Sequence, residues 1–100
     1  MSLNSREVAA TSTELHELRA GIALDDAACE QALGYAPGEL AQALNIQLGP
    51  VETWRVRDFL VEVAHAEGAP VPRFSRLTDA MRGQAQMWFG SWSAPDVPAA

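Results

Sequence analysis

Glycine and proline cut this chain at Gly21, Gly34, Gly49-Pro50 and the run Gly68-Ala69-Pro70-Val71-Pro72, and between the cuts apolar residues recur at three- and four-residue spacing. That rhythm allows short amphipathic helices joined by tight turns and little else. The 48 % apolar content, in which Ala and Leu outweigh Val, Ile and the aromatics, favours the same state. With 100 residues there is room for one core. The expected architecture is all-α, a compact orthogonal bundle of about five helices. It forms a single helical domain over residues 1–90, followed by a flexible C-terminal tail over 91–100 in which Trp92 is the one residue expected to dock.

Thr11 followed by Glu14 has capping-box spacing, and Leu15, Leu18 and Ile22 follow, so the first helix is placed over residues 12–21 after a loose lead-in from which Leu3 and Val8 dock. Asp25 caps a second helix whose inward residues are Cys29, Ala32 and Leu33, and Gly34 ends it. Pro37 suits the first turn of a third helix, with Leu40, Ala43 and Leu44 inward. The longest helix spans residues 51–67, its wide stripe made of Val51, Trp54, Phe59, Leu60, Val63 and Ala64. Phe74 and Leu77 lead into a last helix with Met81, Ala85, Trp88 and Phe89. The core is expected around Leu18, Leu33, Leu40, Trp54, Leu60 and Trp88, with Trp54 and Trp88 meeting.

The single cysteine, Cys29, excludes an intrachain disulfide and a cysteine-rich metal site, and reads as a buried thiol. The amino terminus has no signal-peptide pattern and no apolar run reaches membrane-spanning length, so a cytoplasmic protein without membrane association is expected. The formal charge of −6 is lopsided: residues 1–52 carry eight acidic groups against Arg6 and Arg19, whereas residues 53–100 carry five of each sign. An acidic first half is poorly suited to a phosphate backbone.

Residues 25–45 place two short helices about a glycine turn, Leu33-Gly34-Tyr35, with Leu40 and Ala43 returning inward. This is the pattern of a helix-turn-helix unit. If that unit read DNA, the groove-facing residues would be Pro37, Gly38, Ala41, Gln42 and Asn45, beside Ala36 and Glu39. Only Gln42 and Asn45 suit adenine, and no arginine or lysine is present there to hold phosphate or guanine. Glu30 stands four residues before the turn glycine, where the motif has alanine, so its carboxylate must reach solvent or the crossing must open. Arg55, Arg57, Arg73, Arg76 and Arg82 are expected in ordinary ion pairs with Asp58, Glu62, Glu67 and Asp79, Arg55 also with Glu52.

His16 and His65 lack metal-ligand spacing, Asp25-Asp26 reads as capping, and there is no phosphate cradle, EF-hand loop or nucleophile elbow. Catalysis, cofactors and metals are therefore not expected.

The combination of Met1-Ser2-Leu3-Asn4, Ala10-Thr11-Ser12 before Leu15, Leu33-Gly34 with Leu40, Trp54 with Arg57 and Leu60, Pro70-Val71-Pro72 with Phe74, and Trp88-Phe89 resembles a small bacterial family, domain of unknown function 2316, over nearly residues 1–90. The resemblance implies a small helical protein with a helix-turn-helix-like core similar to phage-repressor (lambda-repressor-like) domains, and carries over no catalytic or ligand residues. The leading functional reading is a non-enzymatic protein-interaction or regulatory accessory domain. Its partner is an unidentified protein or a second copy; Leu44, Ile46 and Leu48 read first as core contacts under a loop, and exposed together they would form an apolar edge for that partner. The second reading is a DNA-binding transcriptional regulator, whose dimer would set two recognition helices roughly 34 Å apart. The third is a small-molecule binder with a pocket near Trp54 and Trp88.

Overall fold

The computed structural model describes residues 3–98. Met1 and Ser2 of the amino-terminal motif, and the last two residues of the expected tail, lie outside the described residues. Five α-helices follow one another: α1 Ser5–Ala20, α2 Asp26–Leu33, α3 Glu39–Leu44, α4 Gly49–Glu67 and α5 Arg82–Phe89, the last preceded by a 3-10 turn at Asp79–Met81.

α1 begins earlier than its apolar spacing predicts. Asn4, not Thr11, is the cap: its side chain accepts the Glu7 N–H at 2.9 Å while the Glu7 carboxylate accepts the Asn4 N–H at 3.0 Å. The true box thus lies seven residues upstream, and Leu3 and Val8 are half-buried rather than part of a loose lead-in. Thr11 is fully buried inside the helix, and its Oγ1 has no hydrogen-bond partner among the described residues. Glu14 accepts the Ser75 N–H at 3.0 Å and Glu7 pairs with Arg76, so the acidic face of α1 holds down the proline-rich connection.

The α2 boundaries follow the sequence reading: Asp25 accepts the Ala28 N–H at 2.8 Å, and Gly34 closes the helix at φ 75°, a left-handed conformation that a Cβ disfavours. Pro37 lies in the turn before α3, two positions ahead of its first residue rather than in its first turn, and Gly38 occupies the cap position with no side chain to serve it. The missing cap comes from Glu30, whose Oε2 accepts the N–H of Gly38 at 2.8 Å and of Leu40 at 3.2 Å. Glu30 is half-buried and its bond to Gly38 lies at the exposed surface, so the carboxylate keeps access to solvent while tying α2 to the start of α3.

α4 is the support of the domain, packed against both α1 and α3. Trp54, Val56, Phe59, Leu60, Val63 and Ala64 are all buried on it, and burial of a large apolar side chain is worth about 1.5–3 kcal/mol. Leu15 and Leu18 of α1, Cys29 and Leu33 of α2, Leu40, Ala43 and Leu44 of α3, Leu77 and Ala85 complete the core. Five of the six predicted core residues are in it. Trp88 is the exception at 44 % exposure: it shares a face of the eight-residue α5 with buried Ala85 but lies in the wall of an open cleft. Trp54 stacks instead on Trp92, with ring centroids 5.2 Å apart. Residues 91–98 carry no regular secondary structure; Trp92 packs against the core, and Ala94 and Val97 of the same segment pack there too.

Candidate functional site

The DNA-facing candidates Pro37, Gly38, Ala41, Gln42 and Asn45 are all exposed. They share one side of the turn and α3, since Ala41 and Gln42 follow Gly38 by three and four positions and Asn45 follows Ala41 by four. Asn45 is tied back to α1, its Oδ1 lying 2.8 Å from His16 Nε2. Around this surface stand Glu30 and Glu39, both engaged with backbone N–H groups of the turn, and none of the ion-paired arginines belongs to α2 or α3.

The three residues of the expected apolar edge separate. Leu44 is buried, and its carbonyl accepts the Ser12 hydroxyl at 2.8 Å; Ile46 and Leu48 are half-buried against the core. Ile46 holds φ 59°, an unusual value for a β-branched residue, and in that conformation it lines an apolar cleft.

That cleft, of about 310 Å³, lies among the start of α1, the start of α4 and α5. Its walls include Val8, Ile46, Trp54, Leu77, Met81 and Trp88, with Arg76 the charged residue beside them. Trp54 and Trp88 therefore share a cleft without stacking on one another. Beside Trp88, Met87 is 83 % exposed. Apolar periodicity marks α5 as amphipathic but does not show that Met87 and Trp88 fall on its open side, because the side it buries is decided by where the Pro70–Pro72 connection lands it.

A second cleft, wider and polar, of about 910 Å³, adjoins an aspartate-centred cluster. Asp58 accepts from Arg82 Nη1 at 2.7 Å, Arg57 Nη1 at 2.8 Å and the Trp92 indole N–H at 2.8 Å. Burial works to raise the Asp58 carboxyl, but the hydrogen bonds from Arg82, Trp92 and Arg57 together outweigh it and hold the group below its ordinary range. Arg57 is buried, donates to the Leu77 carbonyl at 3.1 Å, and lies 4.8 Å from the Phe74 ring and 5.8 Å from Trp54. Asp79, exposed, bridges Arg82 and Arg57 and is also held below its usual range, chiefly by the Arg82 hydrogen bond. The expected ion pairs are thus partly present: Arg57 and Arg82 use Asp58 and Asp79, Arg55 uses Glu52, and Glu67 instead accepts the N–H groups of Ala23 and Leu24. Sequence spacing could not assemble this cluster, because Arg82 and Trp92 lie 24 and 34 residues from Asp58.

Cys29 is fully buried, and burial is the main cause that pushes its thiol up to about 11, so it is not an activated nucleophile. Among the described residues no group of three His, Cys, Asp or Glu side chains is arranged to hold a metal ion, and no helix is long and apolar enough to cross a membrane.

A family model described as an uncharacterized protein conserved in bacteria (DUF2316) matches residues 1–90. The chain belongs to this family. The DUF2316 match includes α1 to α5, the apolar cleft and Asp58 with its arginines, and stops two residues before Trp92. No curated protein and no solved structure matches the chain.

Proposed function

We propose that this domain is a non-enzymatic protein-interaction or regulatory accessory domain, with a helix-turn-helix-like corner at α2–α3 used as scaffold and its contact surface at the apolar cleft beside α5. The observation that carries the reading is Trp88, 44 % exposed in the wall of that cleft, with its chain neighbour Met87 83 % exposed. Large apolar side chains left in water around a concave apolar floor favour a partner that covers them, and aromatics and methionine are enriched in protein contact surfaces.

Against DNA recognition stand the acidic groups around α3, the occupation of its amino-terminal N–H groups by Glu30, and its length of six residues. A volume of about 310 Å³ also fits a small apolar molecule, at the lower end of the range of roughly 300–1,000 Å³ for ligand pockets.

A photo-crosslinking residue placed at position 87 or at position 42 in bacterial cells separates these readings. Protein adducts formed from position 87 and not from 42 are expected. Nucleic-acid adducts from position 42, with salt-sensitive binding that enriches a shared sequence from random DNA, would replace this reading with a transcriptional regulator. An apolar compound that co-purifies and is released on denaturation would assign the cleft to a small ligand.

A further inference from the structure

Trp92 fills a seat built for an indole. Its ring stacks on Trp54 at 5.2 Å with 27° between planes, its Nε1–H donates to Asp58 Oδ2 at 2.8 Å, and the Arg82 guanidinium lies 6.0 Å from its centroid. Stacking and a nearby cation select an aromatic ring over an aliphatic side chain, and the charged acceptor for the one indole donor selects an indole over a phenyl. The backbone that follows is recognised too, since the Ser93 carbonyl accepts Arg55 Nε at 3.1 Å, and Ala94, Pro95, Asp96 and Val97 form one wall of the wide polar cleft.

The segment carrying this indole is extended and belongs to no helix or sheet. It departs from α5 at Gly90, whose φ 89° and ψ 179° are open to glycine and essentially to no other residue. The seat itself stands on other elements. Trp54, Arg55 and Asp58 are on α4, which packs against α1 and α3, Arg82 is at the start of α5, and Asp58 is paired with Arg57 and Arg82 besides the indole.

We propose that the Trp54–Asp58–Arg82 seat is a recognition site for a tryptophan-bearing extended segment, occupied in cis by residues 91–97 and open to the same segment of a second copy when the tail swings away on Gly90. This site shares Trp54 with the cleft beside α5, but Asp58, Arg82 and Arg55, which supply its polar contacts, are not among that cleft's walls. In the free chain the cis tail competes with any segment offered in trans, so a vacant seat binds better than a filled one.

The test uses the full chain carrying Trp92→Ala and a fluorescently labelled, end-capped peptide with the sequence of residues 91–97. Saturable binding to W92A is expected, weaker by about tenfold or more in the wild type, where the cis tail competes at high effective concentration. Binding is expected to be lost when the peptide carries alanine at its tryptophan, and reduced when Asp58→Asn is added to the protein. A Gly90→Val chain, with the seat intact but the tail's docked path disfavoured, is expected to bind the peptide more tightly than the wild type. Failure of folded W92A to bind, equal affinity for wild type and W92A, or equal affinity for the alanine peptide would each overturn the proposal. Loss of the helical circular-dichroism signal in W92A would overturn it as well, by making Trp92 a fixed part of the core.

Discussion

The Glu30 carboxylate accepts the backbone N–H of Gly38 at 2.8 Å, so that the middle of α2 caps the start of α3. Gly38 brings no side chain to its own helix end, and the second acceptor contact, to Leu40 at 3.2 Å, makes Glu30 a surrogate cap across the turn. Glu30→Ala would place the small residue of a DNA-reading motif here at the expense of that cap. A loss of about 1 kcal/mol is expected, seen as a fall in Tm of roughly 4–8 °C for a domain of this size. Glu30→Gln, which keeps one acceptor oxygen, is expected to lose less. An unchanged Tm in Glu30→Ala would show that solvent caps α3 equally well.

Thr11 is buried with its hydroxyl unpartnered, and that hydroxyl opposes folding. Thr11→Val keeps the shape and removes the orphan, so urea denaturation is expected to show unchanged stability or a gain of up to about 1 kcal/mol. A loss larger than that would mean that the hydroxyl is hydrogen-bonded in solution.

Leu60 and Trp88 were both expected at the centre of the core, but Leu60 is fully buried and Trp88 is nearly half exposed. Leu60→Ala is expected to cost about 2–5 kcal/mol. Trp88→Ala is expected to cost less than about 1 kcal/mol while weakening partner capture at the cleft. Comparable losses of stability for the two variants would place Trp88 back in the core.

The Asp58 carboxyl is held below its ordinary value in the folded protein, so the ionised form contributes stability above the unfolded-state value of about 4, and that contribution is lost as pH falls through the lower folded value. Because Asp58 holds the Trp92 indole, acid titration is expected to change tryptophan fluorescence below roughly pH 4, along with a fall in Tm. In Asp58→Asn the stability at neutral pH is expected to drop and the acid-dependent part of the fluorescence change to shrink. An identical acid limb in wild type and Asp58→Asn would assign the transition to other carboxyls.

The sequence by itself determined the helical class, the positions of most breaks and the inward faces. Period, capping chemistry and left-handed glycines are local, acting within four residues, so Asp25, Gly34, Gly68 and the α4 stripe were legible before any packing was known. Asn4–Glu7 has the same spacing as Thr11–Glu14, the pair read as the box from the sequence, and it is Asn4–Glu7 that closes while Thr11 is buried within the helix. What only the tertiary structure decided depends on residues far apart in the chain. Glu30 became a cap because α3 crosses within its reach, and Ile46 entered a left-handed conformation at the edge of the cleft. Trp54 stacks on Trp92, 38 positions away in the chain, while Trp88 shares a cleft with it without stacking. Each of these outcomes is fixed by which surfaces meet, and a one-dimensional pattern of apolar and polar residues carries that information only once helices of given length are packed against one another.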